Sequence, residues 1–204
     1  MCIRDSWVDN PAEGIEDLPN VLCILYAQNE GSFLAGYIAA SMSETGVVGA
    51  VGGEDNDTIN DFLIGYKEGA QYANPDIKVV TNYANTYEDP AKGKECALAL
   101  NSQGADVIFA VAGNTGNGVF AAAKEKGFYV IGVDQDQKLS APEYDEQIIC
   151  SMKKEVGTSV YDTVKALIED DTWDGGRIWT ADMATGYVLS LIHISEPTRL
   201  DVIS

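Results

Sequence analysis

Short apolar runs rich in β-branched residues recur along this chain, and helix-length segments separate most of them. The runs cover 21–26, 47–51, 77–81, 106–111, 129–133 and 147–150. Apolar residues on both sides of each run fit strands covered on both faces, as in a parallel sheet. The intervening segments 31–42, 58–72, 90–100, 116–125 and 155–168 carry apolar residues at helical spacing. One of them opens on Asp89 and Pro90, a capping acid followed by proline at the first helical position. Strands alternating with single helices predict α/β layers with right-handed crossovers.

Ligands of such folds sit beyond the carboxyl ends of the strands. The positions selected by that rule are Asp9, 52–55, 82–87, 112–117 and 134–136. "AGNTGNG", from Ala112 to Gly118, joins a strand to a helix, where glycines allow close backbone approach and the helix offers free N–H groups. It lacks the GK[ST] of a phosphate-binding loop and the glycine order of a dinucleotide fingerprint. "GVDQDQ" ends a strand in Asp134 and Asp136. A strand-end carboxylate suits two vicinal hydroxyls of a sugar; a helix cap, a solvated loop or acid/base work are the other uses. No nucleophile accompanies the pair, so no catalytic residue is assigned. Lys153 and Lys154 stand at a strand-to-helix junction, as surface charges or cleft groups, and Tyr83 and Tyr87 at strand ends can stack on a base or pack in the core.

The net charge of −19 disfavours nucleic acid and anionic membrane surfaces as partners. No apolar run reaches the roughly 18–20 residues that span a bilayer, and the opening residues do not read as a signal peptide. Cys2, Cys23, Cys96 and Cys150 fit no zinc or C-x-x-C spacing, so no metal site is expected on them.

The ordered set "QNEGSFLAGYIAASMSETG", "VGAVGGEDNDTINDFLIGYKEGAQYANPDIKV", "YEDPAKGKECALALNSQGADVIFAVAGNTGNG", "YVIGVDQDQ" and "ICSMKKEVGTSVYD" resembles the basic membrane protein family, the purine nucleoside receptor-like lipoproteins of ABC importers. The resemblance covers roughly residues 7–187. It implies a type I periplasmic-binding-protein fold, two Rossmann-like α/β lobes with parallel sheets closing on a ligand. The function implied is capture of a purine nucleoside or related small solute in the interlobe cleft. Delivery goes to a membrane permease, by a monomer lipid-anchored outside the cell membrane, without catalysis and without a cofactor.

Carried over by motif, Asp134 matches the ribose-binding acid, Lys154 the cleft lysine and Gly113 the glycine before "TGNG". Tyr87 matches the base-stacking aromatic, more often Phe in the family, and Asp9 matches a strand-end acid of the first lobe. Two rivals share these residues. One is a ligand-sensing regulator of the same fold, and the other is a nucleoside-processing enzyme using Asp134 and Asp136.

Both ends depart from the family pattern. "LSLIHIS" can be encoded by CTGTCTCTTATACACATCT plus the remainder of a serine codon. Its reverse complement, read from ATG, gives Met-Cys-Ile-Arg-Asp, the opening of this chain. That duplex resembles the transposase mosaic end of sequencing libraries, and "EPTR" fits the adaptor beyond it. The expected organisation is therefore 1–6 adaptor-derived, 7–44 a remnant of the first lobe and 45–152 the second lobe. Residues 153–188 return to the first lobe, and 189–204 are adaptor-derived. This reading removes His193, the only histidine, from the mechanism. It leaves the first lobe truncated and predicts poor folding of residues 1–204 by themselves.

Overall fold

The computed structural model describes residues 5–9 and 13–193. The elements run β1 (Asp5–Val8), β2 (Val21–Tyr26), α1 (Gln28–Met42), β3 (Val47–Gly52), α2 (Asp57–Ala73), β4 (Lys78–Tyr83) and α3 (Pro90–Ser102). They continue through β5 (Val107–Val111), α4 (Gly116–Lys126), β6 (Tyr129–Asp134), α5 (Gln137–Ser140), β7 (Ile148–Lys154), α6 (Val156–Glu169), β8 (Arg177–Ala181) and β9 (Val188–Ile192). Two sheets hold the strands. One has the order β1-β2-β8, and the other has the order β4-β3-β5-β6-β7-β9. Every pairing is parallel except that of β7 with β9.

The period of two along β5 organises the larger sheet. Val107, Phe109 and Val111 join Phe62, Leu63 and Tyr66 of α2 and Ala35 and Ala39 of α1 in one core. Ile108 and Ala110 face the other way, into a core with Ala97 and Leu100 of α3 and Val119 and Phe120 of α4. All five residues of β5 are buried, so the continuous apolar run reflects coverage on both faces. Tyr66 and Phe62 meet Phe109 with ring centroids 5.3 and 6.2 Å away.

Where the structure differs from the sequence expectation, the cause is local. β7 runs on to Lys154 rather than stopping at 150, because Ser151 and Lys153 are accommodated between β6 and β9. α1, grouped by sequence with the first lobe, packs on α2 and the larger sheet, so the chain changes layers at Ala27. Alternation of elements reveals their type but not which sheet receives them. β8 and β9 were not anticipated; each is short and lies at a sheet edge. β9 makes the larger sheet mixed instead of wholly parallel. It includes residues 189–192 of the segment read as adaptor; residues 1–4 and 194–204 of those segments lie outside the described residues.

The expected cap is present. Asp89 accepts from the Ala91 and Lys92 N–H groups at the start of α3, with Pro90 at its first turn. Cys23, Cys96 and Cys150 are buried, and burial pushes the Cys150 thiol far up from its ordinary value. Among the described residues no helix is long and apolar enough to cross a membrane.

The α1–α2 crossing is tight enough that a Cβ at Gly69 would collide with the Phe33 backbone carbonyl. Backbone cannot yield as a flexible side chain can. Gly69→Ala is therefore expected to destabilise the whole protein by at least about 1–3 kcal/mol, the usual cost of overpacking. A thermal melt checks this, and Gln71→Ala, at an exposed site in the same helix, serves as the control with little loss.

Candidate functional site

Parallel strands deliver their carboxyl ends to one side, and three charged side chains meet there. Asp9 follows β1 of the smaller sheet, Asp134 closes β6, and Lys154 closes β7 of the larger one. Lys154 Nζ donates to Asp9 Oδ2 at 2.8 Å and lies 3.8 Å from Asp134 Oδ1. The ion pair thus bridges the two sheets. Lys154 is 2% exposed along its side chain, Asp9 35% and Asp134 56%.

An ammonium this buried needs compensation beyond one carboxylate. Aromatic rings supply it. Nζ stands 4.6 Å from the Phe62 ring centroid and 5.6 Å from that of Tyr26, within cation–π range. Tyr26 is fixed in turn by a 2.6 Å hydrogen bond between its hydroxyl and that of Ser159 in α6. Burial raises the Tyr26 phenol pKa, the Ser159 bond opposes the shift, and Asp9 adds to it.

Both acids sit on left-handed backbone, Asp9 with φ of 60° and Asp134 with φ of 65°. Short polar side chains tolerate this region better than most, yet it still costs free energy. Two such turns facing one lysine are a pre-organised arrangement, of the kind strain marks at functional sites. Asp9 Oδ1 is buried and has no partner among the described residues, so an acceptor is left over. Loss of solvent raises the Asp134 pKa from its ordinary value; Lys154 partly offsets this, and the Asp9 charge adds to it.

These groups line a recess of about 540 Å³ with Asn56, Phe62 and Tyr87. That volume suits a small organic solute. A contiguous recess shares Gly113, Asp134 and Lys154 and extends towards Asn114, Asn117 and Ser140. Thus the five residues singled out by sequence, Asp9, Tyr87, Gly113, Asp134 and Lys154, all line one cleft. Gly113 has φ of 53° and brings its backbone against Tyr87.

Other sequence candidates are occupied elsewhere. Asp136 accepts from the Lys138 and Leu139 N–H groups as the cap of α5, and His193 Nε2 lies 3.2 Å from it. Lys153 pairs with Glu155, and the Tyr83 hydroxyl donates to Asn60 Oδ1 at 2.6 Å. Sequence reasoning missed Phe62, Tyr26 and Asn56 as site residues. Phe62 and Tyr26 carry the same apolar spacing as their core neighbours; for Asn56 the available signal was its capping position before α2.

A family model described as "ABC transporter substrate-binding protein PnrA-like" matches residues 2–199. Basic membrane protein D of Borreliella burgdorferi (strain JD1) is 43% identical over 179 residues, 87% of this chain and 52% of that protein. The chain spans about half the length of the curated relatives it matches. A solved ABC transporter solute-binding protein from Aeropyrum pernix K1 superposes with a TM-score of 0.82 at 30% identity, covering 92% of this chain and 53% of that one. A transcriptional activator of comK from Bacillus halodurans superposes with a TM-score of 0.77 at 23% identity, covering 92% and 62%, and shares the fold alone. The architecture is that of type I periplasmic binding proteins.

Removing the cation leaves two carboxylates facing each other. Lys154→Met is expected to destabilise the whole protein by less than the ~3–5 kcal/mol of breaking a fully buried pair, because Asp9 keeps a third of its surface. Adding Asp9→Asn should recover part of that loss, read as coupling in a double-mutant denaturation cycle.

Proposed function

The chain belongs to the PnrA-like family of ABC transporter substrate-binding proteins, and from that premise we propose that it forms the cleft of a nucleoside-binding importer component. The ligand is a purine nucleoside or a closely related solute. The observation that carries this reading is the Asp9–Lys154–Asp134 cluster beside Tyr87 in one recess. Asp134 accepts from two vicinal sugar hydroxyls, and Lys154 donates to a ligand oxygen while Asp9 holds it in place. Tyr87 offers a ring against which a planar base stacks.

Binding without chemistry is the reading that family membership supports. Asp136, the second acid of the enzyme rival, commits Oδ1 to the α5 cap. A sensing regulator of the same fold would use an identical cleft, and family membership favours transport. The whole protein works as a monomer, lipid-anchored on the extracytoplasmic face, and passes its ligand to a permease. The reading of residues 1–6 and 189–204 as adaptor translation leaves all five site residues in the remaining span.

Calorimetric titration of the whole protein with inosine tests the reading. Saturable binding without release of free base is expected, and base release would show an enzyme instead. Asp134→Ala should weaken binding by about 1–3 kcal/mol, the cost of leaving buried polar groups unpaired.

The raised Asp134 pKa gives a signed pH effect. Folded Asp134 takes up its proton at a higher pH than the unfolded chain does. Its protonated form therefore stabilises the fold, fully below the unfolded value, and that contribution is lost as pH rises through the folded one. Binding runs the opposite way, since the proton removes the acceptor. Affinity should fall with acidification before ordinary carboxylates titrate, and Asp134→Asn should abolish that dependence in the same titration.

A further inference from the structure

Asn56 sits between a helix and the stacking ring, and its orientation is dictated by the helix. Its Oδ1 accepts the Ile59 N–H at 3.0 Å, capping α2. Turning the amide over would set an NH₂ against that N–H and forfeit the cap. The Nδ2 end therefore faces the Tyr87 hydroxyl, to which it donates at 2.9 Å. A phenol oxygen that accepts from Asn56 keeps its own proton for another acceptor.

The ring is closely approached by backbone. It lies so near Gly53 that a Cβ there would collide with it, and Gly113 also stands beside Tyr87. Its backbone is tied on both sides as well. The Tyr87 carbonyl accepts from the Thr115 N–H at 2.9 Å, and the Thr86 N–H donates to the Gly53 carbonyl at 3.1 Å. Asn56 and Tyr87 both line the recess that also holds Asp134 and Lys154.

We propose that Tyr87 is a specificity-determining donor and Asn56 the positioning residue that sets its polarity. The cleft then selects planar heterocycles bearing a hydrogen-bond acceptor, such as an exocyclic carbonyl, on the edge that reaches the hydroxyl. A phenylalanine here would keep the stacking face and lose this selection. The proposal rests on the nucleoside reading and deepens it.

The test is calorimetric titration of the whole protein with inosine, whose base carries an exocyclic carbonyl, and adenosine, whose base carries an amino group there. The unsubstituted protein should favour inosine by about fivefold to tenfold, the worth of one hydrogen bond. Tyr87→Phe should erase that preference while both nucleosides still bind. Asn56→Asp should invert it. The introduced carboxylate still caps α2 but now accepts from the phenol, turning the oxygen lone pairs towards the ligand to meet an amino donor. A merely structural role for Asn56 would weaken both nucleosides alike. Nucleoside binding with an inosine-to-adenosine ratio that neither variant shifts beyond about twofold overturns the proposal alone. Absence of binding by either nucleoside to the unsubstituted protein overturns the nucleoside reading and the proposal with it.

Discussion

A buried ammonium joins the two sheets, and the geometry of the cleft depends on it. Lys154 comes from the end of β7, and its ion-pair partner Asp9 follows β1 of the other sheet. The charge is removed from water, so it needs Asp9 in front and aromatic faces beside it. Phe62 reaches it from α2 and Tyr26 from β2, so elements from both layers converge on one nitrogen. Such a pair is weak evidence for stability, because desolvation offsets much of its attraction. Its clearer consequence is placement. It fixes where a ligand's oxygen would meet a donor, and it leaves Asp134 open on the recess side.

The topology explains why these charges meet at all. In parallel sheets the strand-end loops gather on one side, so β1, β6 and β7 can each contribute one charged residue without long connections. Left-handed turns at Asp9 and Asp134 end their strands abruptly and hold both carboxylates near the lysine. The remaining wall is made by Tyr87, packed beside Gly53 and hydrogen-bonded by the residue that caps α2. The cleft therefore combines a polar end, suited to hydroxyls, with a flat aromatic end.

Much of this was legible in the sequence because strand-end position is a local property. An acid directly after a β-branched run, as at "GVD", falls at the mouth of a parallel sheet whatever the rest of the chain does. The strand-helix alternation was similarly readable from apolar spacing. What could not be read depends on packing between distant elements. Phe62 follows the apolar spacing of α2, so nothing in its neighbours marks it as a lysine's partner. Asn56 looks like a cap and is one; its second bond, to Tyr87, spans 31 positions. The extension of β7 to Lys154 relies on β6 and β9 beside it. The assignment of α1 to the larger sheet arises from its glycine-mediated contact with α2, which spacing alone does not encode.

The most direct test is a crystal structure of the whole protein grown with inosine. The account predicts the sugar's vicinal hydroxyls within hydrogen-bond distance of the Asp134 carboxylate, a ligand oxygen on Lys154 Nζ, and the base lying on the Tyr87 ring. Inosine bound elsewhere, with the Asp134 and Lys154 side chains untouched by it, would contradict the account.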